Sequence, residues 1–252
     1  MLIIKLNKNV IPIQNDKQVS HFELRFGICR AMKKLWRKNG KKIDMKKITF
    51  RNETPADYRA IENLTREAFW NVYKPGCDEH FILHNFRTRS EFVPELDIIM
   101  EEEGILVGHV MFARAEIKLN NSKTLPIMTF GPISIAPEFK HKGYGTVLLR
   151  YAMEKAKKMD CGALAITGNI DFYGKSEFVV AKTKGVRYYA DPDADYFLIK
   201  ELVPSFLDEV KNCGGGSFKE PDGYFIDSNE AEEFDRHFPI KERLSLPGQI
   251  FG

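Results

Sequence analysis

The chain has 252 residues, 43% hydrophobic and 29% charged, with a net charge of +3, a composition that suits a globular fold and excludes collagen-like and low-complexity classes. No stretch reaches the ~18 consecutive apolar residues of a membrane span, and the opening Met1-Leu2-Ile3-Ile4-Lys5 turns polar too soon for a secretory signal. Cys29, Cys77, Cys161 and Cys213 lie far apart without C-x-x-C or Cys…His spacing, so reduced thiols in a cytoplasmic protein are expected, not disulfides or zinc ligands.

Residues 1–44 read as a basic N-terminal extension, holding 11 Lys and Arg against 3 Asp and Glu and leaving −5 for the remainder. An acidic body argues against nucleic acid as the main substrate and is compatible with a cationic amine. Ser20 and Glu23 form a capping box for a helix striped by Phe22, Phe26, Cys29, Leu35 and Trp36. It is read as a solvated helix on the body, or as sequence upstream of a native start at Met45.

From Lys46 the pattern is mixed. Residues 48–51 predict a strand. Thr54-Pro55 opens a helix carrying Ile61, Leu64, Ala68 and Phe69, and residues 80–87 predict a second helix. Residues 96–102 and 105–118 read as antiparallel strands around Gly104, and Asn120-Asn121 turns the chain into a strand over 125–136. A helix over 144–159 is stopped by Gly162, and 163–167 is a buried strand parallel to the one before that helix. A short helix at 171–175 precedes strands at 178–183 and 196–202. In the tail, Cys213-Gly214-Gly215-Gly216 reads as a hinge, followed by a strand at 224–226 and a polar helix from Ser228. The tail either completes the sheet or covers a pocket.

The most informative segment runs from Ile133 to Leu149: a β-branched strand, a proline-marked turn, a basic glycine loop, then an apolar helix. That order gathers unsatisfied backbone N–H groups at a helix N-terminus, a seat for a pyrophosphate. Gly143 and Gly145 allow close approach and positive φ, and Lys140, His141 and Lys142 add positive charge. An anionic cofactor follows from these residues.

Lys140 to Gly145 also resembles the Q/R-x-x-G-x-G/A signature of the GNAT N-acetyltransferase superfamily, with Lys140 in the Gln/Arg place. The resemblance implies an α/β (α+β) fold over residues 45–200: a mixed, mainly antiparallel sheet flanked by helices, with splayed parallel fourth and fifth strands. Residues 201–252 are then a C-terminal extension packing on that domain. It further implies acetyl-CoA as cosubstrate, its pantetheine arm bonding along Ile133, Ser134 and Ile135. Its pyrophosphate would meet Lys140, His141, Lys142, Gly143, Tyr144, Gly145 and Thr146. Residues 168–178 are similar to the family's N-x-x-x-x-Y-x-x-x-G-F pattern, which makes Asn169 a cofactor contact and Tyr173 the acid that protonates the departing thiolate. Glu177 departs from that pattern, standing where glycine is usual.

The implied activity is transfer of the acetyl group to a primary amine by direct attack, without an acyl-enzyme or a metal. The acceptor is a small-molecule or peptide amine, with no nucleic acid expected and a homodimer left open. Glu101, Glu102, Glu103, His109 and Glu116 lie on or near the strands, and none is singled out as base. Two other classes stay open: a non-catalytic acyl-CoA sensor of the same fold, and a nucleotide-binding protein using Gly174-Lys175-Ser176. The latter fits poorly, since five residues instead of four separate Gly168 from Gly174. Residues 191–195 mimic the start of a calcium loop, but Tyr196 and Leu202 replace its glycine and glutamate, so an acidic turn is expected.

Overall fold

The structure, a computed structural model, describes residues 43–249. The described residues from Lys46 onward belong to one compact unit; the basic helix expected around residues 20–38 lies outside the described residues. Strand β1 (Ile48–Asn52) is followed by helix α1 (Tyr58–Phe69). The helix starts later than Pro55 because Asp57 accepts the Thr54 N–H (2.9 Å) and hydroxyl (2.7 Å), closing residues 54–57 into a turn. Ile61, Leu64 and Ala68 recur at helical spacing and are buried. Helix α2 (Glu79–Phe86) packs beside α1 and adds Leu83 and Phe86 to one core.

Strands β2 (Ile98–Glu102), β3 (Ile105–Leu119) and β4 (Thr124–Ile135) form an antiparallel meander, β3 and β4 a long hairpin with His109 opposite Ser134. Helix α3 (Tyr144–Lys158) returns the chain to β5 (Ala163–Thr167), parallel to β4. Ser134 faces Thr65 of α1, while Ile135 faces Gly145 of α3. Adjacent strand residues point to opposite faces, so α1 and α3 cover the two sides of the sheet.

Helix α3 ends in a Schellman motif, with the Cys161 N–H on the Ala156 carbonyl (3.1 Å) and the Asp160 N–H on that of Lys157 (3.2 Å). Asp160 takes the left-handed position (φ 60°), not Gly162. Gly162 serves packing instead: a Cβ there would lie 2.1 Å from the Phe206 ring.

The strand expected over 178–183 is only β6 (Val179–Val180), because the Thr183 hydroxyl donates to the Val180 carbonyl (2.6 Å) and curls 181–184 into a 3-10 turn. Two short strands escaped the pattern, β7 (Val186–Tyr188) and, after β8 (Phe197–Glu201) and helix α5 (Asp208–Asn212), β9 (Gly216–Phe218). Strand β9 pairs antiparallel to β3 and parallel to β7. The expected glycine hinge is therefore partly sheet. Gly216 is required there because a Cβ would lie 2.7 Å from Ile117 and 3.0 Å from the Lys118 carbonyl. The strand expected at 224–226 is instead a 3-10 turn over Asp222–Tyr224, opened by Pro221. Helix α6 (Ser228–Asp235) is capped by Asp227. The sheet order is β1-β2-β3-β4-β5-β8-β6, with β7 and β9 beside the far end of β3.

Candidate active site

Strands β4 and β5 pair only at Met128–Leu164 and Thr129–Ala165. Beyond Thr129 they diverge, so β4 from Phe130 to Ile135 has no partner strand on its β5 side. Main-chain groups on that edge are available to an extended ligand. Ser134 is buried, its hydroxyl 3.0 Å from that of Thr65, so a ligand would meet the main chain of Ile133–Ile135 and not the Ser134 side chain.

Past β4 the 3-10 turn Pro137–Phe139 leads into the loop and α3. Gly143 is the N-cap with φ 95°, a conformation L side chains rarely adopt. No side chain caps α3, and the backbone N–H groups of His141 to Thr146 meet no acceptor among the described residues. Half a positive charge at the helix start adds to these donors.

The basic side chains of the loop behave differently from expectation. Lys140 Nζ donates to the Ala68 carbonyl of α1 (2.6 Å), and burial, then Lys241, lowers its pKa. Lys142 Nζ donates to the Glu138 carbonyl (2.5 Å). Only His141, exposed and with φ 59°, has neither tie. The open donors of this loop are thus mainly main-chain amides. Tyr144 turns away, its hydroxyl donating to Glu102 (2.8 Å). Gly145 serves packing, since a Cβ would lie 3.2 Å from the Phe172 ring.

Helix α4 (Ile170–Tyr173) starts at Asn169, whose side chain accepts the Asp171 N–H (2.8 Å), so its oxygen is occupied as a cap. The Tyr173 ring packs among Phe130, Phe172 and Phe178, with centroids 4.8–5.8 Å apart. It lies over Gly168, where a Cβ would sit 2.4 Å from its ring. Burial pushes the phenol well up, so it is protonated at neutral pH. Glu177 has φ 65°, which explains why glycine suits that position; its carboxylate pairs with Lys200 (2.8 Å).

Sequence patterns gave no sign of Tyr224. Its ring packs at a tilt of 58° against Phe86 (centroids 4.6 Å apart) and its hydroxyl donates to the Gly131 carbonyl of β4 (2.9 Å), where the splay opens. No local motif marks it, because the tail reaches β4 only through the tertiary fold.

Four of the five candidate bases are committed elsewhere. Glu101 binds Arg51, Glu102 accepts from Tyr144, and Glu103 pairs with Lys47. His109 is fully buried with Nε2 2.6 Å from Asp97, and burial holds its pKa down to about 4. Glu116 is exposed near the hairpin end. Glu53, Asp97 and His109 bring ligand atoms within 4.8 Å of one another. The Glu53 carboxylate is already bound by Arg87 (3.0 and 2.7 Å), which also donates to Glu62 (2.5 Å). The trio is the core of a buried polar network joining β1, α1, α2 and β3.

Residues 58–178 match the model of the acetyltransferase (GNAT) family. An uncharacterized N-acetyltransferase of Escherichia coli strain K12, YjhQ, is 30% identical over 86 residues, 34% of this chain; the match spans 46% of that relative's length. The fold is similar to that of YhbS, a GNAT family N-acetyltransferase of E. coli solved in complex with CoA. The TM-score is 0.61 at 17% identity, over 75% of this chain and 97% of that one. A GNAT family acetyltransferase of Brucella melitensis in complex with acetyl-CoA gives 0.55 at 19% identity, over 70% and 97%.

Proposed function

We propose that the chain, whose residues 58–178 match the acetyltransferase (GNAT) family model, transfers the acetyl group of acetyl-CoA to a primary amine by direct attack. The observation that carries this reading is the row of unbonded amides from His141 to Thr146, which follows the stretch of β4 that has no β5 partner. Amides at a helix start suit a diphosphate, and an unpaired strand edge suits an amide-bearing arm such as pantetheine.

When bound, acetyl-CoA supplies an activated acyl carbon, to which the amine nitrogen bonds as the C–S bond breaks and sulfur leaves with a proton. The chain's residues hold and orient. Main-chain groups of Ile133, Ser134 and Ile135 fix the arm, and an N–H there polarises the carbonyl. Lys140 braces the loop against α1. Tyr173, kept protonated by burial, donates to the leaving sulfur. A thiol near pKa 8.5 is a stronger acid than this phenol. The contribution of Tyr173 is therefore a hydrogen bond to the developing thiolate, while the proton that the thiol finally carries is the one the amine nitrogen gives up on acylation.

Isothermal titration with acetyl-CoA, followed by thiol release across an amine panel, tests the reading. Acetyl-CoA binding with amine-dependent thiol release is the expected result. Failure to bind acetyl-CoA removes the proposal, and binding without turnover on any amine converts it to an acyl-CoA sensor.

A further inference from the structure

Outside the cofactor seat, the mouth of the splay carries a cluster built by β7, the loop before β8 and the C-terminal tail. Tyr189, Tyr196 and Phe225 are exposed aromatics, 46%, 48% and 48% accessible, on a surface where large rings are ordinarily covered. Tyr188 joins them, with ring centroids 5.2 Å from Tyr189 and 6.1 Å from Tyr196, and Tyr189 is 6.4 Å from Phe225. Glu220 lies against the Tyr188 hydroxyl. Its Oε2 is buried and has no hydrogen-bond partner among the described residues. Such an oxygen is costly unless a donor reaches it.

Two hydrogen bonds fix the cluster at the site. The Gly168 N–H, at the exit of β5 and over Tyr173, donates to the Tyr196 carbonyl (2.8 Å). The Tyr224 hydroxyl, one residue before Phe225, donates to the Gly131 carbonyl of β4 (2.9 Å). The aromatic wall is therefore tied to both strands that diverge. One cation already sits on it: Lys219 Nζ is 5.0 Å from the Phe225 ring centroid and 6.0 Å from that of Tyr189, and 3.1 Å from Asp222.

Aromatic faces and a carboxylate stabilise an ammonium in its charged form. A nitrogen that attacks a thioester must be neutral. The wall is thus unsuited to the reacting nitrogen and suited to a second one. Resting on the acetyltransferase reading above, we propose that Glu220, Tyr188, Tyr189 and Phe225 bind the non-reacting ammonium of a diamine or polyamine, whose other nitrogen reaches the splay. Lys219 occupies the wall until that ammonium replaces it.

The test compares diaminobutane and diaminopentane with aminobutane and aminopentane, using thiol release for kcat and KM. Calorimetric titration of diaminobutane into the protein without acetyl-CoA reads the wall independently of turnover. Wild type is expected to favour each diamine over its monoamine by about tenfold or more in kcat/KM, chiefly through KM. Glu220→Gln and Phe225→Ala shrink that preference, and Lys219→Met, at an exposed position, strengthens diamine binding. Equal use of monoamine and diamine, or wild-type diamine affinity in all three variants, overturns the proposal. Diamine binding without acetyl-CoA binding would instead sink the acetyltransferase reading and leave the cation site standing.

Discussion

Replacing Arg87 with methionine keeps the apolar stem of the side chain and removes the guanidinium that bonds Glu53 and Glu62. All three side chains are almost fully buried. Stripping a buried carboxylate of its cation costs about 3–5 kcal/mol. The pH dependence of that cost is the sharper test. Burial first, then a hydrogen bond shared with Asp97, pushes the Glu53 carboxyl up to about 7 from 4.5, while Arg87 opposes the rise. A carboxyl raised in the folded state contributes stability that is full below its unfolded pKa and lost as pH climbs through the folded one. Without Arg87 the folded pKa rises further, so the loss continues above pH 7, where wild type has levelled off. The gap between the two proteins is then nearly level below about pH 6, begins to widen as Glu53 of wild type ionises, and approaches about 1.4 kcal/mol per pH unit above pH 7. By about pH 8.5 the extra loss is roughly 2 kcal/mol. His109, neutral down to about 4, adds nothing in this window. Urea unfolding of both proteins at the two ends of the window measures the gap; a gap that stays level or narrows with rising pH refutes the argument.

Tyr173→Phe is expected to lower turnover by about 100-fold while leaving acetyl-CoA affinity within about twofold; unchanged turnover at the pH optimum removes the hydroxyl from the reaction. Glu177→Gly relieves a left-handed φ of 65° and raises stability by about 0.5–1 kcal/mol in urea unfolding. The lost contact with Lys200 subtracts little, because the Glu177 side chain is 87% exposed. Gly162→Ala drives a methyl into the Phe206 ring, 2.1 Å away, and should destabilise by about 1–3 kcal/mol. A thermal midpoint equal to wild type would show that the ring can turn aside.

The amino-acid order alone determined the central strand–loop–helix unit, the parallel return to β5 and the glycine loop that opens α3. The reason is that the signals are local: β-branched runs, Pro137, the glycines and an apolar helical stripe act within a few residues of one another. Helix and strand ends moved by one to four residues wherever a side chain competed with the backbone, as Asp57 does before α1 and Thr183 after β6. What tertiary structure decided lies where three-residue strands and lone side chains are defined by distant partners. Gly216 belongs to a sheet only because Ile117 and Lys118 leave no room for a Cβ. Lys140 reaches from the loop to the Ala68 carbonyl of α1, a partner that no spacing in the sequence announces. Tyr224 and Glu220 join the splay from the far end of the chain, because a bond to the Gly131 carbonyl, invisible to periodicity or spacing, closes the tail onto β4.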